Sequence, residues 1–302
     1  MTLSSTPAIA ETVLDEPESA RSASVFGQVL RRLRGDPRAL TGLGLVGVMA
    51  LLAIFAPLIA RYNPDAVNVT ILNQNPSPAH WFGTDYLGRD MWARVLYGGR
   101  ISLPAGLGVI AIALGVGIPL GMVAGYAGKL VDDLIMRLFD VLLALPGILL
   151  AIGIIAILGP GLTSAVIAIG VASTPGFARI ARASTLQAKT QDYVEAARAQ
   201  GSGPFYIIFR HILPNIVDPI IVLATLALGT AILATAALSY LGLGTQLPTS
   251  DWGSLLSNGF EHMFQSWSEI TFPGLAIGLS VLGINLLGDG LGHALNPRSQ
   301  AR

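Results

Sequence analysis

Residues 192–215 read DYVEAARAQGSGPFYIIFRHILPN. Apolar runs flank this stretch on both sides, but it holds two carboxylates, two arginines, a histidine and a Gly-Ser-Gly-Pro turn. A membrane interior tolerates such groups only at high cost. The stretch therefore lies outside the bilayer. Asp192 with Glu195 three residues on predicts a capping box and a helix from about Tyr193. Ala196, Ala197 and Ala199 give that helix a small, close-packing side. Gly201 and Gly203 stop it. Ser202 is placed to cap a second helix, with Pro204 in its first turn. Phe205, Tyr206, Ile208 and Phe209 make this second helix more apolar than water favours, and Pro214 is expected to end it. Two readings are level on physics alone: a docking surface for a partner, or an amphipathic hairpin lying on lipid.

The surrounding chain supports a bilayer setting. It has 302 residues, of which 52% are hydrophobic and 12% charged, and a mean hydropathy of +0.64. Soluble domains carry about 25% charged residues. Formal net charge is zero, which argues against a nucleic-acid partner. Cysteine is absent, which excludes disulfides, thiolate metal sites and a cysteine nucleophile. Residues 1–24 are rich in Ser, Ala and Glu and lack the apolar core of a signal peptide. They read as a disordered cytoplasmic tail.

A spanning helix needs about 20 apolar residues. Apolar runs carrying at most one charge each predict helices over Thr41–Ala60, Ile101–Tyr126, Leu138–Leu158, Leu162–Arg179, Pro219–Leu243 and Ile270–Leu291. Gly159-Pro160-Gly161 separates the third from the fourth. Five spans is the competing count, if Val141–Ala178 is partly re-entrant. Residues 25–100 then form an N-terminal segment with the first span and an outer loop. Residues 101–295 form the core, and 296–302 a basic tail. Of the 18 lysines and arginines, only Arg61, Arg89, Arg94 and Arg100 fall outside. This bias predicts an all-α polytopic membrane protein of six spans with both termini in the cytoplasm. Glycines and prolines recur within the spans, as at Gly106, Gly117, Gly121, Pro119 and Pro146. Close helix packing accounts for most of them. A hinge at Pro119 or Pro146 is the alternative.

No catalytic or metal-binding constellation is legible. Gly128-Lys129 lacks the glycine spacing of a phosphate loop. The histidines, at 80, 211, 262 and 293, have no metal-ligand spacing. Intramembrane carboxylates, the mark of many ion-coupled transporters, are nearly absent. A stand-alone ion-coupled transporter remains the alternative function, because unwound backbone also coordinates sodium.

Three groups of residues carry a resemblance. Glu195-Ala196-Ala197, Gly201 and Leu213-Pro214 resemble the EAA motif of ABC-importer permeases. His80–Asp90 (HWFGTDYLGRD), Arg94 and Gly98–Leu103 are similar to the signature of the dipeptide/oligopeptide permease family, in its C-type second subunit. Leu238–Gly244, Asp251-Trp252-Gly253 and Gly288–Leu291 fit the same pattern, so the likeness runs from about Arg32 to Arg298. The resemblance implies the type I ABC-importer permease fold and a translocation subunit in a bacterial inner membrane. It implies a heterodimer with a second permease, two ATPase subunits that bind ATP and Mg, and an external solute-binding protein. It makes Glu195, Ala196, Ala197, Gly201, Ser202, Gly203, Pro204, Phe205, Tyr206, Phe209, Arg210 and Pro214 the ATPase-coupling loop. It makes Gly83, Thr84, Asp85 and Asp90 the outer signature. Pairing of Asp85, Arg89, Asp90 and Arg94 within the loop, or contact with the binding protein, are both open there. Trp81, Phe82 and Trp92 suit an aromatic belt at the membrane surface.

Overall fold

The computed structural model describes residue 31 and residues 33–295. The expected tails, 1–24 and 296–302, lie outside the described residues. Those described are helical or irregular, apart from one isolated bridge between Thr84 and Asp90.

Helix α1 (Pro37–Ile54) starts earlier than charge counting suggests. Asp36 caps it, accepting the Arg38 N–H at 2.8 Å, and Pro37 fills the first turn, where its missing N–H costs nothing. Pro57 cannot continue the hydrogen-bond ladder, and the helix breaks at Phe55 before a short turn, α2 (Ala56–Ile59). Residues 61–90 then form an irregular segment.

Helix α3 (Met91–Ala127) is ten residues longer at its start than the charge-free run. Asp90 caps it through the Ala93 N–H at 2.8 Å. Its 37 residues rise roughly 55 Å at 1.5 Å each, well past a hydrocarbon core of about 30 Å. Pro104 and Pro119 sit inside it without ending it. Gly128, at φ +107°, starts a turn that L side chains rarely allow.

The expected third span is not one straight helix. Helices α4 (Lys129–Leu143) and α5 (Gly147–Leu158) meet at 91°. Pro146 stands at this break as the residue before α5, and its ring bars a continuous ladder. Among the described residues, five helices are long and apolar enough to span, and the bent pair makes up to six. The five-span alternative thus had a physical basis in this break. Helix α6 (Leu162–Ala188) runs alongside α3 as the most extensive helix pair. Their seam is a glycine stripe at Gly117, Gly121 and Gly125. A Cβ at Gly117 would lie 2.8 Å from the Thr174 carbonyl oxygen, and one at Gly125 would lie 2.8 Å from Thr185 Cβ. At Gly121 the Ala178 carbonyl is closer still. In lipid this close backbone approach replaces the hydrophobic drive.

Helix α7 (Asp192–Ala199) and α8 (Pro204–Tyr240) form an elbow at the end of the bundle where α3 and α6 finish. At the opposite end, the segment expected as an outer loop contains helix α9 (Trp252–Glu261). Its capping box pairs Asp251 with Ser254: the Ser254 N–H donates to Asp251 at 2.7 Å and Ser254 Oγ accepts the Asp251 N–H at 3.0 Å. Helix α10 (Ser268–Leu295) closes the bundle and packs back on α1.

Candidate functional site

The elbow begins where Gln191, in extended backbone, precedes α7. No capping box forms at Asp192. That residue lies inside the first turn, and with Glu195 it faces the positive end of the helix dipole instead. Gly201 ends α7 in a Schellman turn at φ +80°. The Ser202 N–H donates to Ala197 O at 3.1 Å and the Gly201 N–H to Arg198 O at 3.0 Å. Ser202 uses its backbone in this stop, and Gly203 takes the cap position of α8 without a side-chain bond. Pro204 opens α8 as expected.

Pro214 does not end the second helix. The chain passes from Pro204 to Tyr240 as one helix through a π turn at Ile207–Ile212. There the Leu213 N–H reaches back five residues to Ile208 O. The wider turn makes room for the proline ring and absorbs its lost donor. The elbow is therefore continuous with a membrane span.

Burial divides the elbow into two faces. Val194, Ala197, Ile207, Ile208 and Ile212 are buried and belong to the same apolar cluster as Val109, Ala113 and Phe177 of the spans. Of the three alanines expected to pack, only Ala197 does; Ala196 and Ala199 are exposed. The opposite face carries Glu195, Gly201, Gly203, Pro204, Arg210 and Pro214, all exposed, with Ser202 half-buried. Phe205, Tyr206 and Phe209 stand 77%, 55% and 57% exposed among them. The isoleucine root was missed by composition, although Ile208, Ile212 and Ile216 recur at helical spacing. Beside the elbow, Arg182 forks onto Asp132 of α4, with Nη2 at 2.5 Å, and Arg179 meets Asp140 at 2.6 Å. Lys189 Nζ donates to Tyr126 O at 2.7 Å.

At the opposite end the outer signature is an internal latch. Thr84, Asp85, Arg89, Asp90 and Arg94 are each at most 4% exposed. Asp85 Oδ2 accepts Arg89 Nε at 2.7 Å and faces Arg94 Nε at 3.5 Å. Its Oδ1 accepts the backbone N–H groups of Leu87 and Arg89. Arg94 also donates to Pro64 O at 3.1 Å and to Ser250 Oγ. Asp90 meets His80 Nδ1 at 2.8 Å while capping α3. Thr84 Oγ1 accepts the Gln74 N–H at 2.9 Å and donates to Ile71 O. Gly83, at φ +77°, lies against the Gln74 carbonyl where no Cβ fits. Glu269 of α10, 1% exposed, is buried beside this cluster. The pairing reading of the loop is thus the observed geometry, and the pairs are buried rather than exposed. Trp252 seals the latch from α9, its Nε1 donating to Val95 O at 2.9 Å. Phe82, half-buried, stacks on Phe272 at 3.7 Å and meets Trp92 edge-on at 4.8 Å.

The described residues thus form a helical bundle of apolar spans with a polar elbow rooted in its core. Residues 117–300 match the family described as "Binding-protein-dependent transport system inner membrane component". Residues 24–76 match the "N-terminal TM domain of oligopeptide transport permease C". The chain belongs to this family of multi-pass inner membrane components, and the stand-alone transporter reading falls away. It is 44% identical over 286 residues to the dipeptide transport system permease protein DppC of Alkalihalophilus pseudofirmus, covering 94% of each chain. It is 44% identical over 286 residues to the glutathione transport system permease protein GsiD of Escherichia coli O6:K15:H31, again covering 94% of each. The probable D,D-dipeptide permease DdpC of Escherichia coli K12 is 40% identical over 267 residues, or 88% of this chain and 90% of its own. Among solved structures, one of the inward-facing MetNI methionine ABC transporter superposes with a TM-score of 0.56. That match covers 68% of this chain and 98% of that chain at 19% identity, a likeness of fold.

Proposed function

We propose that the chain is the translocation subunit of an ATP-driven importer of di- or oligopeptides or related small solutes, and that the α7–α8 elbow is where an ATPase subunit docks. The exposed aromatic face of Phe205, Tyr206 and Phe209 on a core-rooted elbow carries this reading. Exposed aromatics grouped beside an arginine are the composition of an interface centre. The peptide and glutathione names of the relatives support the cargo class. The EAA-like residues lie on this same elbow, with Glu195 and Ala196 on its open face. Under this reading both termini are cytoplasmic and the latch is external. A second permease, two ATPases that bind ATP and Mg, and an external binding protein complete the complex in a bacterial inner membrane.

The structure supplies a physical route for coupling. Closure of the ATPases pulls the elbow, and residues 204–212 move the rest of α8 directly because they belong to the same helix. Val194, Ile207 and Ile212 carry the same displacement into the core. Ligand binding shifts a two-state equilibrium only by its differential contacts, and the elbow is the part that makes them.

The test is co-purification and ATP hydrolysis of the assembled complex. Phe205→Ala with Tyr206→Ala is expected to weaken ATPase retention and to uncouple hydrolysis from uptake. Truncating exposed interface aromatics in this way costs about 2 kcal/mol or more. Wild-type retention and wild-type coupled uptake in this variant would sink the docking role.

A further inference from the structure

Arg94, Tyr97, Arg100 and Ile101 follow one another along α3 at helical spacing, so they share one side of it. They line a pocket of about 220 Å³ at the latch end. One rim is Pro64 and Asp65, from the segment before α3; the other is Thr249 and Ser250, from the loop before α9. Buried Arg94 is the floor and ties the rims together. It donates to Pro64 O at 3.1 Å and to Ser250 Oγ, 156 positions along the chain. The pocket is thus formed before any ligand arrives, and a preformed site loses less binding energy to ordering.

Two exposed charges of opposite sign share this pocket without pairing. Arg100 lies over the Tyr97 ring at 5.6 Å and has no carboxylate within ion-pair distance among the described residues. Asp65, 49% exposed, faces Arg94 at 3.6 Å through one oxygen only. Arg94 is already matched by Asp85 on its other side, at 3.5 Å. The Tyr97 and Thr249 hydroxyls have no hydrogen-bond partner among the described residues, and neither residue is buried. The pocket therefore offers a guanidinium, two hydroxyl donors and a carboxylate oxygen, all open to a ligand.

What completes such a pocket carries both signs. A lone anion meets Arg100 but lies against Asp65, and a lone amine meets Asp65 but lies against Arg100; like charges at that range repel. A short peptide with both ends free holds an ammonium and a carboxylate on one small frame. We propose that this pocket binds free short peptides by their two termini. Arg100 and the Thr249 hydroxyl take the carboxylate, and Asp65 takes the ammonium, each through charge-assisted hydrogen bonds. The proposal rests on the importer reading above, which puts the latch end on the side from which cargo arrives. It adds a cargo subsite at the outer mouth of this subunit.

The test is saturation-transfer NMR of the purified full chain with alanyl-alanine, its N-acetyl form and its C-terminal amide. Wild type is expected to bind the free dipeptide saturably and each blocked form about tenfold more weakly. Arg100→Gln is expected to bind the free dipeptide about tenfold more weakly and no better than the amide. Asp65→Asn should bind the free and N-acetyl forms alike. Arg61→Gln, which removes the exposed cation over Trp81, should match wild type. The proposal is overturned if wild type binds no dipeptide saturably, or if blocking the ends changes nothing. It is also overturned if Arg100→Gln and Asp65→Asn keep the wild-type discrimination, or if Arg61→Gln loses as much as Arg100→Gln. Uptake of the same dipeptide by the assembled complex tests the importer reading separately. Uptake without binding to the chain defeats the subsite alone, and binding without uptake defeats the importer reading alone.

Discussion

Asp85 holds two guanidinium groups in a site closed to water, so its removal leaves Arg89 buried without its counter-charge and Arg94 with only the more exposed Asp65. Breaking a buried pair from one side costs about 3–5 kcal/mol. Asp85→Ala is expected to destabilise the purified chain by that amount, read as a lower thermal unfolding midpoint. Asp65 also faces Arg94, at 3.6 Å, but its side chain is 49% exposed. Asp65→Ala should change stability by about 1 kcal/mol at most. A similar loss for both variants would mean that the latch is wet and its burial unimportant. Trp252, 1% exposed and bonded to Val95 O, should behave like other large core aromatics. Trp252→Ala is expected to cost about 3–5 kcal/mol in the same measurement.

Among the elements, the α3–α6 seam and the elbow respond to substitution for different reasons. At Gly121 a side chain meets the Ala178 backbone, which cannot step aside. Gly121→Leu is expected to destabilise the bundle by about 1–3 kcal/mol or more, as overpacking does. Gly115 lies in the same helix with open space around it, so Gly115→Leu should leave the unfolding midpoint nearly unchanged. Gly201 also has open space, but its φ of +80° excludes β-branched residues. Gly201→Val is expected to strain the Schellman turn by about 1–3 kcal/mol and to reduce ATP hydrolysis coupled to uptake. Gly201→Asn, which tolerates that conformation, should keep coupling near wild type. Equal loss in both would point to side-chain volume at a docking surface rather than backbone geometry.

For the whole molecule, the all-helical membrane architecture was legible in charge-free runs and in glycine and proline punctuation. The 91° break was half legible: Pro146 marked it, but an apolar run on each side read as one span. The outer latch was legible only as a motif. Charged residues between two spans read as exposed, and their burial depends on Ser250 and Glu269, far along the chain. The Asp251–Ser254 capping box was legible in principle, since Asp-x-x-Ser precedes the apolar Leu255 and Leu256. The π turn was not, because its reason is the joint demand of Pro214 and a buried isoleucine row. Local propensity stops the helix at that proline, and tertiary packing carries it through.

The latch fastens residues met early in synthesis to residues made late. Asn73 bonds Gln265, 192 positions on, Tyr86 stacks on His262 at 4.5 Å, and Phe82 waits for Phe272. While the ribosome is still adding the middle spans, residues 61–90 have only their own internal bonds and lack these late partners. Contacts of such separation form late and leave their segment open to attack meanwhile. A chain stopped after residue 261 should thus be clipped within 61–90 by protease added from the latch side, whereas the full chain resists. Closure of residues 61–90 thus waits for the last helix to arrive.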